Sequence, residues 1–200
     1  TYRSINCAFA RLSQIVGLDR VVDTTYRMAA SDFLRPDLPE SVREPLRPYA
    51  SFATGANEMS TLDMAAGMQS IANEGVHHEP YFIEKVDDSE GRRLYTHQSD
   101  PERVLESGAA LTTIDTMKAT LTTGTARREL AEFAQLIPAA GKTGTQQNNY
   151  AAWFVGASTH LSTAVMVRDP DRYTSMVNIP EFVEACVPLV RGGTFPARIW

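Results

Sequence analysis

Apolar positions near the start of the chain recur at helical spacing. Ile5, Ala8, Phe9, Leu12, Ile15 and Val16 fall on one face, and Gly17 supplies a C-terminal stop. Leu18 to Ala30 predicts a second, weaker helix. A passage with Pro36, Pro39, Pro45 and Pro48 then predicts an ordered surface loop. Ser60-Thr-Leu-Asp63 pairs a hydroxyl N-cap with an acid three residues on, and predicts a helix to about Asn73-Glu-Gly75. Tyr81 to Val86 and Arg93 to Thr96 predict a strand pair about the turn Asp88-Ser-Glu-Gly91. A helix from about Gly108 to Thr122, stopped at Gly124, places Leu111, Ile114, Met117 and Leu121 on one face.

The last third changes period. Ala139 to Thr145 is short and flat. Ala151 to Val155 is apolar at successive positions, as in a strand covered on both sides, and Leu161 to Val167 is rich in β-formers. These predict three consecutive antiparallel strands. Pro180 opens a predicted final helix with Glu181 and Glu184 in its first turn and Phe182, Val183, Cys186, Val187 and Val190 on one face. Helices followed by a strand meander give a mixed α/β class with an α+β layout. The division expected is a mainly helical part at 1–75 and a sheet-containing part at 76–200.

Composition narrows the classes. The 200 residues are 43% hydrophobic and 22% charged, which is globular. A net charge of −5 gives no basic footprint for nucleic acid. No run approaches the roughly 18 to 20 apolar residues of a spanning helix, and no leader is visible at Thr1. Two cysteines, Cys7 and Cys186, are too few for a disulfide framework and are not at metal-ligand spacing. Cys7 is expected as a small buried thiol on or beside the first apolar face. His77-His78 lacks further ligands and reads as structural, so no metal and no cofactor is expected. Arg127-Arg128 reads as a solvated pair, and Trp153 and Phe154 as core. The 19 basic residues include only three lysines, Lys85, Lys118 and Lys142.

Two short motifs carry chemistry. In Lys142-Thr-Gly-Thr145 the glycine lets a ligand approach the backbone, the hydroxyls can hold a carboxylate, and the ammonium supplies charge. The same letters also fit a plain turn. Ser4-Ile-Asn6 precedes the first helix, where Ser4 could equally serve as a cap. Taken in order, S-x-N and K-T-G belong to the S-x-x-K, S-D-N, K-T-G set of penicillin-binding proteins and class A β-lactamases. Other segments resemble class A, bifunctional penicillin-binding proteins. Leu62-Asp-Met-Ala65 with Ala72-Asn-Glu-Gly75 is similar to their PLDMA…ANGG helix. Thr123-Gly-Thr-Ala126 is similar to their GTA element, Ala152-Trp-Phe-Val-Gly156 to DAWFVG, and Gly192 to Trp200 to GG…PAPIW. Gly75-Val-His-His-Glu-Pro80 is most similar to the actinobacterial branch.

The resemblance covers essentially the whole chain and implies a β-lactamase/D,D-peptidase-like fold. That fold is an antiparallel sheet flanked by helices, beside a helical subdomain. The implied activity is a peptidoglycan D,D-transpeptidase at the extracytoplasmic face of the bacterial membrane. It would act on stem peptides through an acylated serine and be acylated by β-lactams. Ser4 would relay a proton to the leaving amine, and Asn6 would bond the acyl side of the donor. Lys142 would hold charge near Ser4, and Thr143 and Thr145, about Gly144, would bind the terminal carboxylate. The Thr145 N–H would be one of two oxyanion donors, of the kind worth about 3 to 4 kcal/mol.

The chain departs from the pattern in one respect above others. Phe82, Asp115 and Ala139 stand three before the lysines, so it contains no S-x-x-K. Without that serine and its lysine no acyl-enzyme forms. The length is therefore expected to be that of a piece, lacking the nucleophile end and the last helix. Any membrane segment would belong to the parent. Gln146 and Ala151 replace the family's Thr and Asp at their positions. Two alternatives remain at this stage: a non-catalytic scaffold of the same fold, and a serine β-lactamase. The GTA element and the Pro-rich insert weigh against the second.

Overall fold

The structure is a computed structural model that describes residues 1–30 and 46–200. Pro36, Pro39 and Pro45, and with them most of the predicted loop, lie outside the described residues. The helices are α1 (Asn6–Val16), α2 (Leu18–Thr25), α3 (Thr61–Ala72), α4 (Ser107–Thr122), and the short α5 (Arg127–Leu130), α6 (Phe133–Leu136), α7 (Pro180–Glu184) and α8 (Phe195–Ile199). The strands are β1 (Val76–His77), β2 (Lys85–Asp87), β3 (Arg93–Thr96), β4 (Glu102–Arg103), β5 (Ala139–Thr145), β6 (Ala151–Ser158) and β7 (Ser162–Arg168).

The predicted meander is present. β5, β6 and β7 form an antiparallel sheet in that order, with Lys142 opposite Val155 and Thr143 opposite Phe154. Alternation divides the side chains. Ala140, Lys142 and Val155 share the face that meets α3 and α4, where Met68 and Met117 complete a cluster. Ala139 and Phe154 share the opposite face, where Phe154 is fully buried with Leu121, Ala126, Leu130 and Ala197. Burying one ring of that size is worth about 2 to 3 kcal/mol. Among the described residues β5 ends the sheet, so one of its edges is unpaired.

Local rules explain α3. The Ser60 hydroxyl oxygen accepts from the Asp63 N–H at 3.0 Å, and its proton goes to the Asp63 carboxylate at 2.7 Å, as the capping pattern predicts. At the far end, Gly75 takes φ +85, and a Cβ there would lie 2.3 Å from the Leu105 carbonyl. The Gly75 carbonyl can therefore accept from both Val104 and Leu105, which seats the β1–β4 pair. His77 is buried as a structural residue. Its Nδ1 lies 2.8 Å from the Ser70 hydroxyl, which also lies 3.0 Å from the Met28 carbonyl, so α3 is tied to the π-helical turn Tyr26–Ala30 after α2.

Five expectations are corrected. The apolar stripe of α1 is exposed at Ile5, Leu12, Ile15 and Val16, with Ile15 at 68%; the helix packs through Phe9, Ala10 and Ser13 instead. Cys7 is accordingly exposed and not a buried thiol. On α4 the buried stripe runs through Ala110, Ile114, Met117 and Leu121, leaving Leu111 51% exposed, because a shift of one residue turns a helix face by about 100°. Of Tyr81 to Val86 only the last two residues pair as strand. The final helix stops at Glu184, because Cys186 takes φ +60 and Pro188 has no N–H to continue it. The residues beyond turn back, and the Asn178 N–H donates to the Pro188 carbonyl at 2.7 Å. Val187 and Val190 are still buried, but from a loop. Among the described residues no helix is long and apolar enough to cross a membrane.

Candidate active site

Strand β5 and the turn before α1 meet, although 138 residues separate them. The Lys142 ammonium donates to the Ser4 hydroxyl oxygen at 2.8 Å and to the Thr143 carbonyl at 2.6 Å. The second bond is available because of register. The Gln146 N–H donates to the Ala151 carbonyl, so Lys142 and Gly144 direct their backbone groups at β6. Thr143 and Thr145 then direct theirs at the open edge. The Thr143 carbonyl takes the ammonium, and the Thr145 N–H points outward.

Ser4 is held in the left-handed region at φ +51, with its N–H on the Thr1 carbonyl at 3.0 Å. For a residue with a Cβ this conformation costs about 1 to 2 kcal/mol. Strain of this kind collects where a side chain must be aimed, and here the hydroxyl meets the ammonium. Ser4 does not cap α1: the N-cap position is Ile5, and no side-chain cap bond is found at that helix start. Asn6 is the first residue of α1 and is exposed.

The surroundings of Lys142 are apolar. A cavity of about 220 Å³ beside it is lined by Met28, Met59, Met64, Met68 and Met117, five of the chain's seven methionines. Burial there disfavours the charged amine and lowers its pKa from 10.5 to about 8. At pH 7 about one Lys142 in ten is then neutral. The amine can hold charge beside Ser4 and still give up a proton near neutral pH.

Alternation puts Thr143 and Thr145 on the sheet face opposite Lys142. The Thr143 side chain is buried, and its hydroxyl lies 2.6 Å from the Thr125 hydroxyl. The Thr145 hydroxyl oxygen accepts from the Gly192 N–H at 3.2 Å. A Cβ on Gly192 would lie 2.2 Å from the Trp153 carbonyl, and one on Gly193 would lie 2.1 Å from the Thr125 carbonyl. Only glycines allow this strap to lie against the strand. Sequence reasoning placed neither Thr125 nor Gly192 in the site. The G-T-A and G-G elements carry part of the family resemblance, but nothing local in them shows which hydroxyls they touch.

The constellation therefore joins an ammonium, a serine hydroxyl, an outward N–H and two threonine hydroxyls along one strand. Such a set can bind a carboxylate and move a proton. A family model described as "Penicillin binding protein transpeptidase domain" matches residues 2–184. The chain is 34% identical over 164 residues to penicillin-binding protein 1A of Aquifex aeolicus, covering 82% of this chain and 20% of that protein. Among solved structures, penicillin-binding protein 1A from Haemophilus influenzae matches with TM-score 0.69 at 22% identity, over 84% of this chain and 29% of that one. The PonA1 protein from Mycobacterium tuberculosis in complex with penicillin V matches with TM-score 0.68 at 22% identity, over 90% of this chain and 46% of that one. These likenesses show the β-lactamase-like transpeptidase fold. The chain spans about a fifth of the length of the curated relatives it matches.

Proposed function

The chain belongs to the penicillin-binding protein transpeptidase family, and we propose that it forms the S-x-N to K-T-G portion of a serine D,D-transpeptidase that cross-links peptidoglycan stem peptides. The observation that carries this reading is the 2.8 Å contact of Lys142 with Ser4, which joins two motifs 138 residues apart in the sequence. The nucleophile would come from an S-x-x-K segment outside these 200 residues. Residues 1–75 belong to a mainly helical subdomain and 76–200 to the sheet-containing part.

In this mechanism the serine oxygen of S-x-x-K attacks the carbonyl between the two terminal D-Ala residues. The carbonyl oxygen becomes negative, and the outward Thr145 N–H is one donor to it. As the C–N bond breaks, the leaving D-Ala amine takes a proton from the Ser4 hydroxyl, and Lys142 restores that proton from its ammonium. Burial favours this transfer, because it has already brought the amine to a pKa of about 8. Asn6 bonds the acyl side of the donor, while the Thr143 and Thr145 hydroxyls, about the side-chain-free Gly144, hold its terminal carboxylate. An acceptor amine then takes the acyl group and frees the serine. A β-lactam enters by the same attack, and its ring opens in place of D-Ala departure. The parent works at the extracytoplasmic face of the membrane, where its stem-peptide substrate lies.

Treatment with a fluorescent penicillin, followed by a denaturing gel, tests the assignment. The 200-residue chain is expected to stay unlabelled, and the full-length protein to carry one covalent label. A stoichiometric label on the short chain overturns the placement of the nucleophile. A full-length protein that stays unlabelled makes the domain a non-catalytic scaffold of the same fold.

A further inference from the structure

We propose that Thr125 is a positioning residue that sets the direction of the Thr143 hydroxyl proton, and so governs carboxylate recognition on the K-T-G strand. This rests on the carboxylate role given to Thr143 above.

Three contacts fix Thr125. Its N–H donates to the Tyr2 carbonyl at 3.2 Å, in the turn that carries Ser4. Its own carbonyl lies against Gly193, where any Cβ would sit 2.1 Å away. Its hydroxyl lies 2.6 Å from that of Thr143. The backbone on both sides of Thr125 is thus held, and the side chain is aimed at the strand. Gly124 is part of the same fit, since a Cβ there would come within 2.6 Å of the Tyr2 carbonyl.

The chemistry of the ligand decides which hydroxyl donates. A carboxylate only accepts hydrogen bonds. Thr143 has one hydroxyl proton. If that proton went to Thr125, the carboxylate would meet lone pairs on Thr143 and be repelled. Binding therefore requires the Thr125 O–H to donate to Thr143, leaving the Thr143 O–H to donate outward. The chain Thr125 to Thr143 to carboxylate runs in one direction, and each link polarises the next. Thr125 also joins the two halves of the site, because the same residue touches the Ser4 turn through Tyr2 and the strand through Thr143.

The test measures second-order acylation of the full-length protein by a penicillin and by its uncharged carboxylate ester. Thr125→Val keeps the shape and removes the donor. It should slow acylation by the penicillin about tenfold, the loss expected of one such hydrogen bond, and leave acylation by the ester at the wild-type rate. Thr125→Ser should restore the penicillin rate. Thr143→Val should discriminate in the same way, and the double variant should be no slower than Thr143→Val alone. The ester rate of Thr125→Val also reports whether the site has stayed folded. Equal losses with both reagents would mean that Thr125 is structural, and would overturn the proposal. If Thr143→Val discriminates and Thr125→Val does not, the coupling is wrong and the carboxylate reading stands. If neither variant discriminates, the carboxylate reading falls and takes the coupling with it.

Discussion

Lys142 is the group on which pH should act most visibly. Its amine lies beside the methionine-lined cavity, and burial lowers its pKa from 10.5 to about 8. Unfolding returns it to water and to the ordinary value. Between about 8 and 10.5 the unfolded chain therefore binds more protons than the folded one. The contribution of Lys142 to stability must rise with pH across that window. Below it, the folded chain carries the ammonium at the full burial penalty. Each pH unit of the gap is worth about 1.36 kcal/mol, so the penalty is about 3 kcal/mol. Lys142→Met removes the titrating group and leaves a side chain suited to the cavity. The difference in unfolding free energy between variant and wild type should shrink by about 3 kcal/mol as pH goes from 7 to 10.5. Comparing the two curves cancels every other group that titrates in the same range. Urea unfolding in dilute solution measures this difference. Competitive amine labelling with mass spectrometry gives the pKa itself, since only three lysines need to be told apart. A labelling midpoint at 10 or above, or parallel stability curves, would refute the burial argument.

Two further outcomes follow from packing. Gly192→Ala places a Cβ 2.2 Å from the Trp153 carbonyl and 2.6 Å from the Gly144 carbonyl, both backbone atoms that cannot rotate away. It should destabilise the chain by about 1 to 3 kcal/mol and lower the melting temperature by about 2 to 12 °C, as read by circular dichroism; an unchanged melt would refute the tight strap. The isolated 200-residue chain should self-associate, because β7 ends the sheet with an unpaired edge among the described residues and the apolar stripe of α1 is exposed. Sedimentation velocity measures this, and a monodisperse monomer with a sharp melt would count against it.

The two sides of the K-T-G strand serve different ends. One face carries Lys142 into apolar surroundings, where its proton becomes labile. The other presents hydroxyls that are already bonded to Thr125 and Gly192. Strand alternation makes the division possible, since neighbouring residues can sit in unlike environments only if they point apart. The edge of the strand supplies the third element, the outward Thr145 N–H. An ammonium, two hydroxyls and an outward N–H thus come from one four-residue stretch, each pointing as the pleat dictates.

Features with local causes are legible in the letters of the chain. The Ser60 cap, the β5 to β7 meander and the K-T-G strand follow from hydrogen bonds and periodicities spanning a few residues. The motif letters also pointed to Lys142 and Ser4 as members of one site. What lies against each face is set by packing between distant segments. Periodicity marked α1 as amphipathic, yet its Ile5, Leu12, Ile15 and Val16 stripe is exposed, because a pattern states which side is apolar and not what covers it. The same limit moved the buried stripe of α4 off Leu111 and cut the final helix at Cys186. The lowered pKa of Lys142, the Thr125 to Thr143 contact and the Gly192 strap all join residues far apart in the chain. Each depends on a packing geometry that no short window of sequence contains.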